Sequence, residues 1–415
     1  MQPLAEPQPR GADRRPRLLV LNQYYWPAIE ATGQLLSQLC AGLAEDFDVT
    51  VVTGVVPGTA PGRERHDGVE IVRVASTAFD RRRLLLRATN YSTYLAQSLF
   101  TALRAERPDV VLCMTDPPVI ADVALLVARK FDAPFVVISQ DVFPEVAVEL
   151  KRLDNPVVVA ALRYAIRFYL QRADRVVAIG ETMSTRLAEK GADPANVVVI
   201  PNWVDVDALT PRARDNDWAR EQQLVDPFVV MHSGNIGHAQ NLDSLIRSAT
   251  FLRDLGNLRI VLIGGGARRQ ELKDLARLLE VEQVRFLGYQ PREVLPESLS
   301  SADVHVVGLA RGLSGYVVPS RLYGILAVGR PVIVAADAES ETAQVVLEAE
   351  AGVVVPPNRP ELLAAAIRKA HDGELDLETM GRKGREYVRG ADRAVAIGRY
   401  RTLLWELVGA NGSSS

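Results

Sequence analysis

Cysteine is nearly missing from this 415-residue chain: Cys40 and Cys113 are the only two, each in apolar surroundings. That excludes a disulfide framework and reads as two core thiols in a reducing compartment. Histidine is scarce as well. His66, His232, His238, His305 and His371 show no metal-ligand spacing, no DxD-type acidic triplet suggests a bound divalent ion, and no serine sits in a nucleophile elbow. No metal and no cofactor are therefore expected. No run of about 18 apolar residues offers a transmembrane helix. Neither sign of charge dominates: 48 Lys and Arg stand against 51 Asp and Glu. A chain without a basic field is not a general nucleic-acid binder. The first residues, Met1 to Arg17, are rich in Pro and Arg and lack an apolar segment, so they read as a loose tail rather than a secretory signal, and a cytoplasmic location is expected. Asn411–Ser415 reads as a second tail.

What the chain has is length and apolar content, with 48% hydrophobic residues. Both suit two domains, each with its own core. Short apolar runs alternate with helix-period stretches. Arg17–Asn22, Asp48–Thr53, Val69–Val74, Asp109–Met114, Pro134–Ser139 and Asp174–Ile179 read as strands. Thr210–Pro227 is polar and aperiodic and reads as a linker. The pattern then restarts with strands at Phe228–His232, Leu258–Ile263, Gln283–Leu287, Asp303–Val307, Pro331–Ala335 and Gly352–Val355. Helices are expected between them, at Leu242–Leu255, Arg268–Glu280 and Ser320–Val328. The expectation is an α/β chain of two doubly wound, Rossmann-like parallel-sheet domains facing across a cleft. Its divisions are a tail over 1–16, a first domain over 17–209, a linker over 210–227 and a second domain over 228–391. A final helix over 392–410 either closes the second domain or crosses back to the first.

Candidate chemistry lies in loops that follow strands, each with a bland reading beside it. Gln23–Gly33 follows the first strand, and Gly33 beside a helix start permits a phosphate to approach, but a turn glycine explains it equally. No complete G-x-G-x-x-G accompanies it. Ser233–Gly237 (SGNIG) occupies the equivalent place in the second half. Gly234 and Gly237 allow close backbone approach, and Asn235, His238 and Gln240 add polar contacts; Gly–Asn is also plain turn chemistry. Gly264–Arg269 (GGGARR) could cradle phosphate with its two arginines, Arg268 foremost, or be a tight turn before a solvated helix. In Tyr316–Gly329, Ser320 is an N-cap candidate after Pro319, and Arg321 is the cation of the helix's first turn. Gln140–Glu145 (QDVFPE) sets Asp141 and Glu145 at a strand's carboxyl end, as acid/base candidates or, for Asp141, as a helix cap. Arg81–Arg87 leads into an amphipathic stretch that would either lie on an anionic membrane surface or form a core helix with a solvated start.

Taken together, these residues resemble the two-domain retaining glycosyltransferases of family 4, which have the GT-B fold. The likeness covers nearly the whole chain. It runs through YYWPAIEATGQLLSQLCAGL, VFPE, SGNIGHAQNLDSLI, FLGYQP and PSRLYGILAVGRPVI, and is nearest the bacterial cell-envelope branch with WbuB- and WcaI-type enzymes of O-antigen and colanic acid synthesis. The resemblance implies a first domain for a glycan or lipid-linked acceptor and a second for a nucleotide sugar, UDP-linked by expectation. It implies transfer of a hexosyl or N-acetylhexosaminyl group with retention and without a metal; contact with the inner face of the plasma membrane is the expectation attached to the Arg81–Arg87 segment. Gly33 would lie under the donor phosphates or sugar, Leu287–Tyr289, with Gly288 and Tyr289 as the contacts, would flank the base, and Ser320 and Arg321 would stabilise the leaving diphosphate. The sequence departs from the family where its pair of glutamates would fall at Tyr316 and Gly324, and where its Arg and Lys would fall at Asn235 and Gln240. Glu341 is then a substitute ribose contact. Two alternatives stand beside transfer: a nucleotide-sugar 2-epimerase of the same fold, and a non-catalytic nucleotide- or glycan-binding homologue.

Overall fold

The computed structural model describes residues 14–28, 31–75 and 84–412. Among the described residues fourteen strands form two sheets. The first sheet holds β1 (Arg17–Leu21), β2 (Asp48–Gly54), β3 (Gly62–His66), β4 (Val69–Val74), β5 (Val110–Met114), β6 (Phe135–Ser139), β7 (Arg175–Ala178) and β8 (Val197–Val199). Their order across it is β3-β4-β2-β1-β5-β6-β7-β8. Every residue of β5 and β6 is buried, as strands covered on both faces require. Two of these strands were not expected. β3, of sequence GRERH, is too charged to read as a strand, yet it pairs antiparallel with β4 at the sheet's edge. Charge on an edge strand blocks further pairing. β8 is a three-residue run that periodicity does not register.

The second sheet holds β9 (Phe228–Ser233), β10 (Leu258–Ile263), β11 (Val284–Leu287), β12 (Val304–Gly308), β13 (Val332–Ala335) and β14 (Gly352–Val355). All its pairs are parallel, in the order β11-β10-β9-β12-β13-β14. Counted from β9, the chain runs outward to one side and then restarts on the other. The loops after β9 and β12 therefore diverge at the switch point, where doubly wound sheets bind ligands.

By contacts the chain divides into two compact units, one of Met1–Ile138, Arg172–Asp174 and Arg401–Ser415, the other of Ser139–Gln171 and Arg175–Tyr400. The expected linker is not free of structure. Asn216 accepts a hydrogen bond from Ala219 N at 2.9 Å and caps a helix, Asp217–Glu221, whose Trp218 is buried. A short capped turn anchored by one indole escapes a search for periodicity. The expected helix Leu242–Leu255 is α-helical only over Leu242–Ser248 and tightens to a 3₁₀ turn at Ala249–Phe251. Both cysteines are free and buried, and burial pushes the Cys40 thiol up to about 12.

The last helix spans Arg393–Gly412. In the smaller unit its Trp405 packs on Phe47, ring centroids 5.3 Å apart, and Arg401 pairs with Glu45 and Asp46. In the larger unit its Tyr400 meets Trp203 edge-on. Of the basic segment, Arg81–Arg83 lie outside the described residues, and Leu84–Arg87 begin a helix, Leu84–Ala102. Among the described residues no helix is long and apolar enough to cross a membrane. Leu404 is fully buried. Leu404→Ala is expected to cost about 2–5 kcal/mol by emptying a packed site, read as a lower urea midpoint at unchanged slope.

Candidate functional site

The loops after β9 and β10 interlock through their backbones. Gly234 N donates to Ile263 O at 2.9 Å, Ile236 N to Gly265 O at 2.7 Å, and Arg268 N to Ile236 O at 3.0 Å. Only glycine fits at the crossing. A Cβ on Gly264 (φ +129°) would overlap the carbonyl of Gly234, and one on Gly266 (φ +148°) would lie 2.6 Å from Asn235 Oδ1. Gly237 N donates to Gln240 Oε1 at 3.0 Å. Gln240 is buried and braces the loop from within, whereas Asn235 is exposed on it.

Arg321 begins the helix Arg321–Ala327 after β12. Its guanidinium would meet a Cβ on Gly234 at 3.4 Å, so it lies against the glycine loop. Its Nη1 donates to His232 Nε2 at 2.8 Å. Burial, reinforced by the Arg321 charge, pushes His232 down to about 3, so the imidazole is neutral. With Nε2 accepting from Arg321 the ring proton lies on Nδ1, facing Val306 O at 3.4 Å, and the Asn235 carbonyl, 3.4 Å from Nε2, receives no proton from the ring. Desolvation lowers Arg321 itself to about 10, which leaves it cationic at neutral pH. Among the described residues no carboxylate pairs with it. A desolvated cation whose protein partner is a neutral ring is incompletely compensated. Ser320 does not cap this helix: its backbone is already helical and its hydroxyl accepts no capping bond. The turn starts earlier, with Leu322 N donating to Pro319 O.

The segment after β6 is tied to the same stretch. Asp141 forms an antiparallel bridge with Val317, and Val142 N donates to Tyr316 O at 2.9 Å. Asp141 thus stands just upstream of Ser320 and Arg321 in pairing order. It is exposed, yet protein packed around its carboxyl desolvates it and pushes it up to about 6. It caps no helix, since the turn at Glu145–Glu149 has Pro144 in that place. Glu145 is committed elsewhere. It pairs with Arg163 at 3.0 Å and with Lys190. Burial raises its pKa, but Lys190 and then Arg163 more than offset this, and the carboxylate is held ionised.

The remaining candidates divide by whether their polar groups are already spent. Arg268 is spent: it pairs with Glu271 at 2.9 Å and bidentately with Asp243. Its neighbour Arg269 is not: it donates one bond, to Leu287 O at 3.3 Å, and its buried Nε has no partner. Gly288 and Tyr289 are exposed beyond the end of β11. The ring of Tyr316 lies under the Arg186 guanidinium, 5.1 Å from its centroid. Glu341 accepts from Thr182 N at 3.3 Å and Thr182 Oγ1 at 3.2 Å, capping the helix Glu181–Glu189, whose own N-cap, Gly180, has no side chain. A Cβ on Gly180 would sit 2.5 Å from that carboxylate. Gly33, in the smaller unit, is buried with its Cβ position 3.2 Å from Ala28 Cβ, which is the geometry of a close helix-to-loop contact. Among the described residues no group of three His, Cys, Asp or Glu is disposed to hold a metal ion.

Two family models match, the glycosyl transferase 4-like domain over residues 31–203 and glycosyl transferases group 1 over residues 214–387. The chain belongs to the family 4 glycosyltransferases. WbjE of Pseudomonas aeruginosa, named as a glycosyltransferase, is 27% identical over 88% of this chain and 91% of its own. WcaI of Escherichia coli K12, named for colanic acid biosynthesis, is 33% identical over 48% of this chain, spanning half of its own length. The solved structure of Anabaena HepE with UDP superposes with a TM-score of 0.73, at 13% identity, over 94% of this chain and all of that one. The two doubly wound sheets are those of the GT-B fold.

Within this glycosyltransferase, sequence reasoning passed over His232, counted only as a histidine without metal spacing, and of the two arginines of GGGARR it singled out Arg268, whereas Arg269 is the one whose buried Nε has no partner. The signal for His232 was its place one residue before the SGNIG loop, at the carboxyl end of a buried strand. Asp141 carries a pH signature. Its folded-state pKa, about 6, lies above the ordinary 3.8, so between those values the folded chain binds more protons and ionisation costs stability as pH rises. The stability of the chain relative to Asp141→Asn should therefore fall from about pH 4 to about pH 7. Urea midpoints across that range measure it, and a constant difference would refute the shift.

Proposed function

We propose that the chain transfers a sugar from a UDP-sugar to a glycan or lipid-linked acceptor in cell-envelope polysaccharide synthesis, with retention and without a divalent ion. The observation that carries this is Arg321, a desolvated guanidinium set against a glycine loop with a neutral histidine as its partner. A diphosphate supplies the missing anion, and the exposed part of the Gly234–Gly237 loop admits it at close range. HepE, of the same fold, is solved with UDP, which supports the choice of nucleotide. Tyr289, exposed beyond β11, offers a face for the base.

In this reading the bond from the anomeric carbon to the diphosphate breaks through an oxocarbenium-like transition state. Arg321 stabilises the charge that gathers on the leaving oxygen. The acceptor hydroxyl attacks from the leaving-group side, and Asp141 takes its proton. A carboxylate near 6 suits that task, being ionised at neutral pH while retaining affinity for a proton. Glu145, held by Lys190 and Arg163, is a brace rather than a base. Glu341 supports the helix at Thr182, and a ribose contact would require it to leave that cap.

A donor screen of the purified chain with UDP- and GDP-sugars is the direct test, and absence of both transfer and hydrolysis would sink the proposal. Arg321→Ala should cut turnover at least about tenfold. Asp141→Asn should lower turnover more than donor affinity, and full activity in that variant would remove Asp141 from the mechanism. Incubation with donor alone, followed by a search for an epimer, separates transfer from 2-epimerisation.

A further inference from the structure

The helix Pro156–Leu170 carries apolar side chains on two opposite sides, and the chain's own core uses only one of them. Its start is firmly set. Asn155 accepts from Val157 N at 3.0 Å and from Val158 N at 3.2 Å, and Pro156 stands in the first turn. Val159, Ile166, Tyr169 and Leu170 turn inward and are buried. On the other side Val157 is 75% exposed and Tyr164 72%, with exposed Ala160 and Ala161 between them. Residues three, four and seven apart share one helix face, so these four form a single stripe. Phe168 continues it, stacked on Tyr164 with ring centroids 6.5 Å apart. A single exposed apolar side chain is ordinary, but a contiguous stripe marks a surface that takes a partner.

The stripe is matched to itself. Its centre is two alanines, with Val157 toward the start of the helix and Tyr164 toward the end. Let two copies lie antiparallel about a twofold axis between Ala160 and Ala161. Tyr164 then stands opposite the partner's Val157, and Ala160 opposite the partner's Ala161. A twofold interface consists of such reciprocal contacts, each made twice. Alanines at the crossing let the two helix axes approach closely.

The charges match as well. The same axis brings Arg167 to the height of the partner's Asp154. Both residues are exposed, and among the described residues neither side chain has an ion pair or hydrogen bond within its own chain. The stem of Arg167 is steadied against Gly191, whose Cβ position lies 3.0 Å from Arg167 Cγ. A lipid surface calls for a different face, with large apolar side chains along its middle and free cations beside them. Here the middle is alanine, and Arg163, next to the stripe, is already paired with Glu145 at 3.0 Å. We propose that this stripe is the interface of a homodimer, formed by antiparallel packing of Pro156–Leu170 on the same helix of a second copy. The proposal does not depend on the transferase reading.

Sedimentation of the full chain across micromolar concentrations is the test, with circular dichroism as the check on folding. The unaltered chain should approach twice the chain mass as concentration rises. Tyr164→Glu places a charge in the stripe and should weaken self-association at least about tenfold, with an unchanged spectrum because that side chain is exposed. Arg167→Glu and Asp154→Arg should each weaken association, and the double variant should recover it, since the swap restores the pairing between copies. Both native cysteines are buried, so Ala161→Cys adds a single exposed thiol. Mild oxidation should link that variant into a covalent dimer, while Leu278→Cys, at an exposed site on another helix, should stay monomeric. A mass of one chain at every concentration, or a double variant no better associated than the single ones, would overturn the proposal. So would a monomer that pellets with phosphatidylglycerol vesicles only while Tyr164 is intact, which would assign the stripe to a lipid surface instead.

Discussion

A desolvated guanidinium with no carboxylate partner among the described residues is the constraint around which the larger unit is arranged. Arg321 donates to an imidazole that must stay neutral, and His232 does so because it is fully buried and next to that charge. The pair is held where the second sheet reverses its strand order, since β9 supplies the histidine and the chain after β12 supplies the arginine. The glycines follow from the same requirement. Two loops can cross backbone-to-backbone beside a guanidinium only where no Cβ intervenes.

Against this background the other charged groups sort themselves physically. Arg268, Glu145 and Glu341 are satisfied by Glu271 and Asp243, by Arg163 and Lys190, and by Thr182. Groups whose hydrogen bonds are complete hold the fold in place. Arg321, Asp141 and Arg269 are not complete in this sense: each arginine opens a helix that follows a strand, and Asp141 stands just past the end of β6. Arg73 repeats the theme in the smaller unit, but there a carboxylate cancels the charge and only one N–H is left.

Much of this was legible in the chain itself. All the strands but β3 and β8, the restart after residue 227 and the glycine loops come from short-range pattern: apolar runs, helical spacing and Gly after a strand. What escaped was of two kinds. β3 and the helix at Asp217–Glu221 were hidden because an edge strand may be charged and a one-turn helix has no period. Ser320 was misjudged because Pro319 starts the helical turn earlier.

Sequence by itself determined the doubly wound class, the places where loops could take a ligand, and the family likeness, since hydrophobic periodicity and turn chemistry are local properties. Only the tertiary structure decided which polar residues are still unspent. Arg268 and Arg321 look alike in the sequence, each an arginine opening a helix. They part because Asp243 and Glu271 reach one, while a buried neutral histidine meets the other. Partners of that kind come together from distant strands and loops, so no local pattern records them.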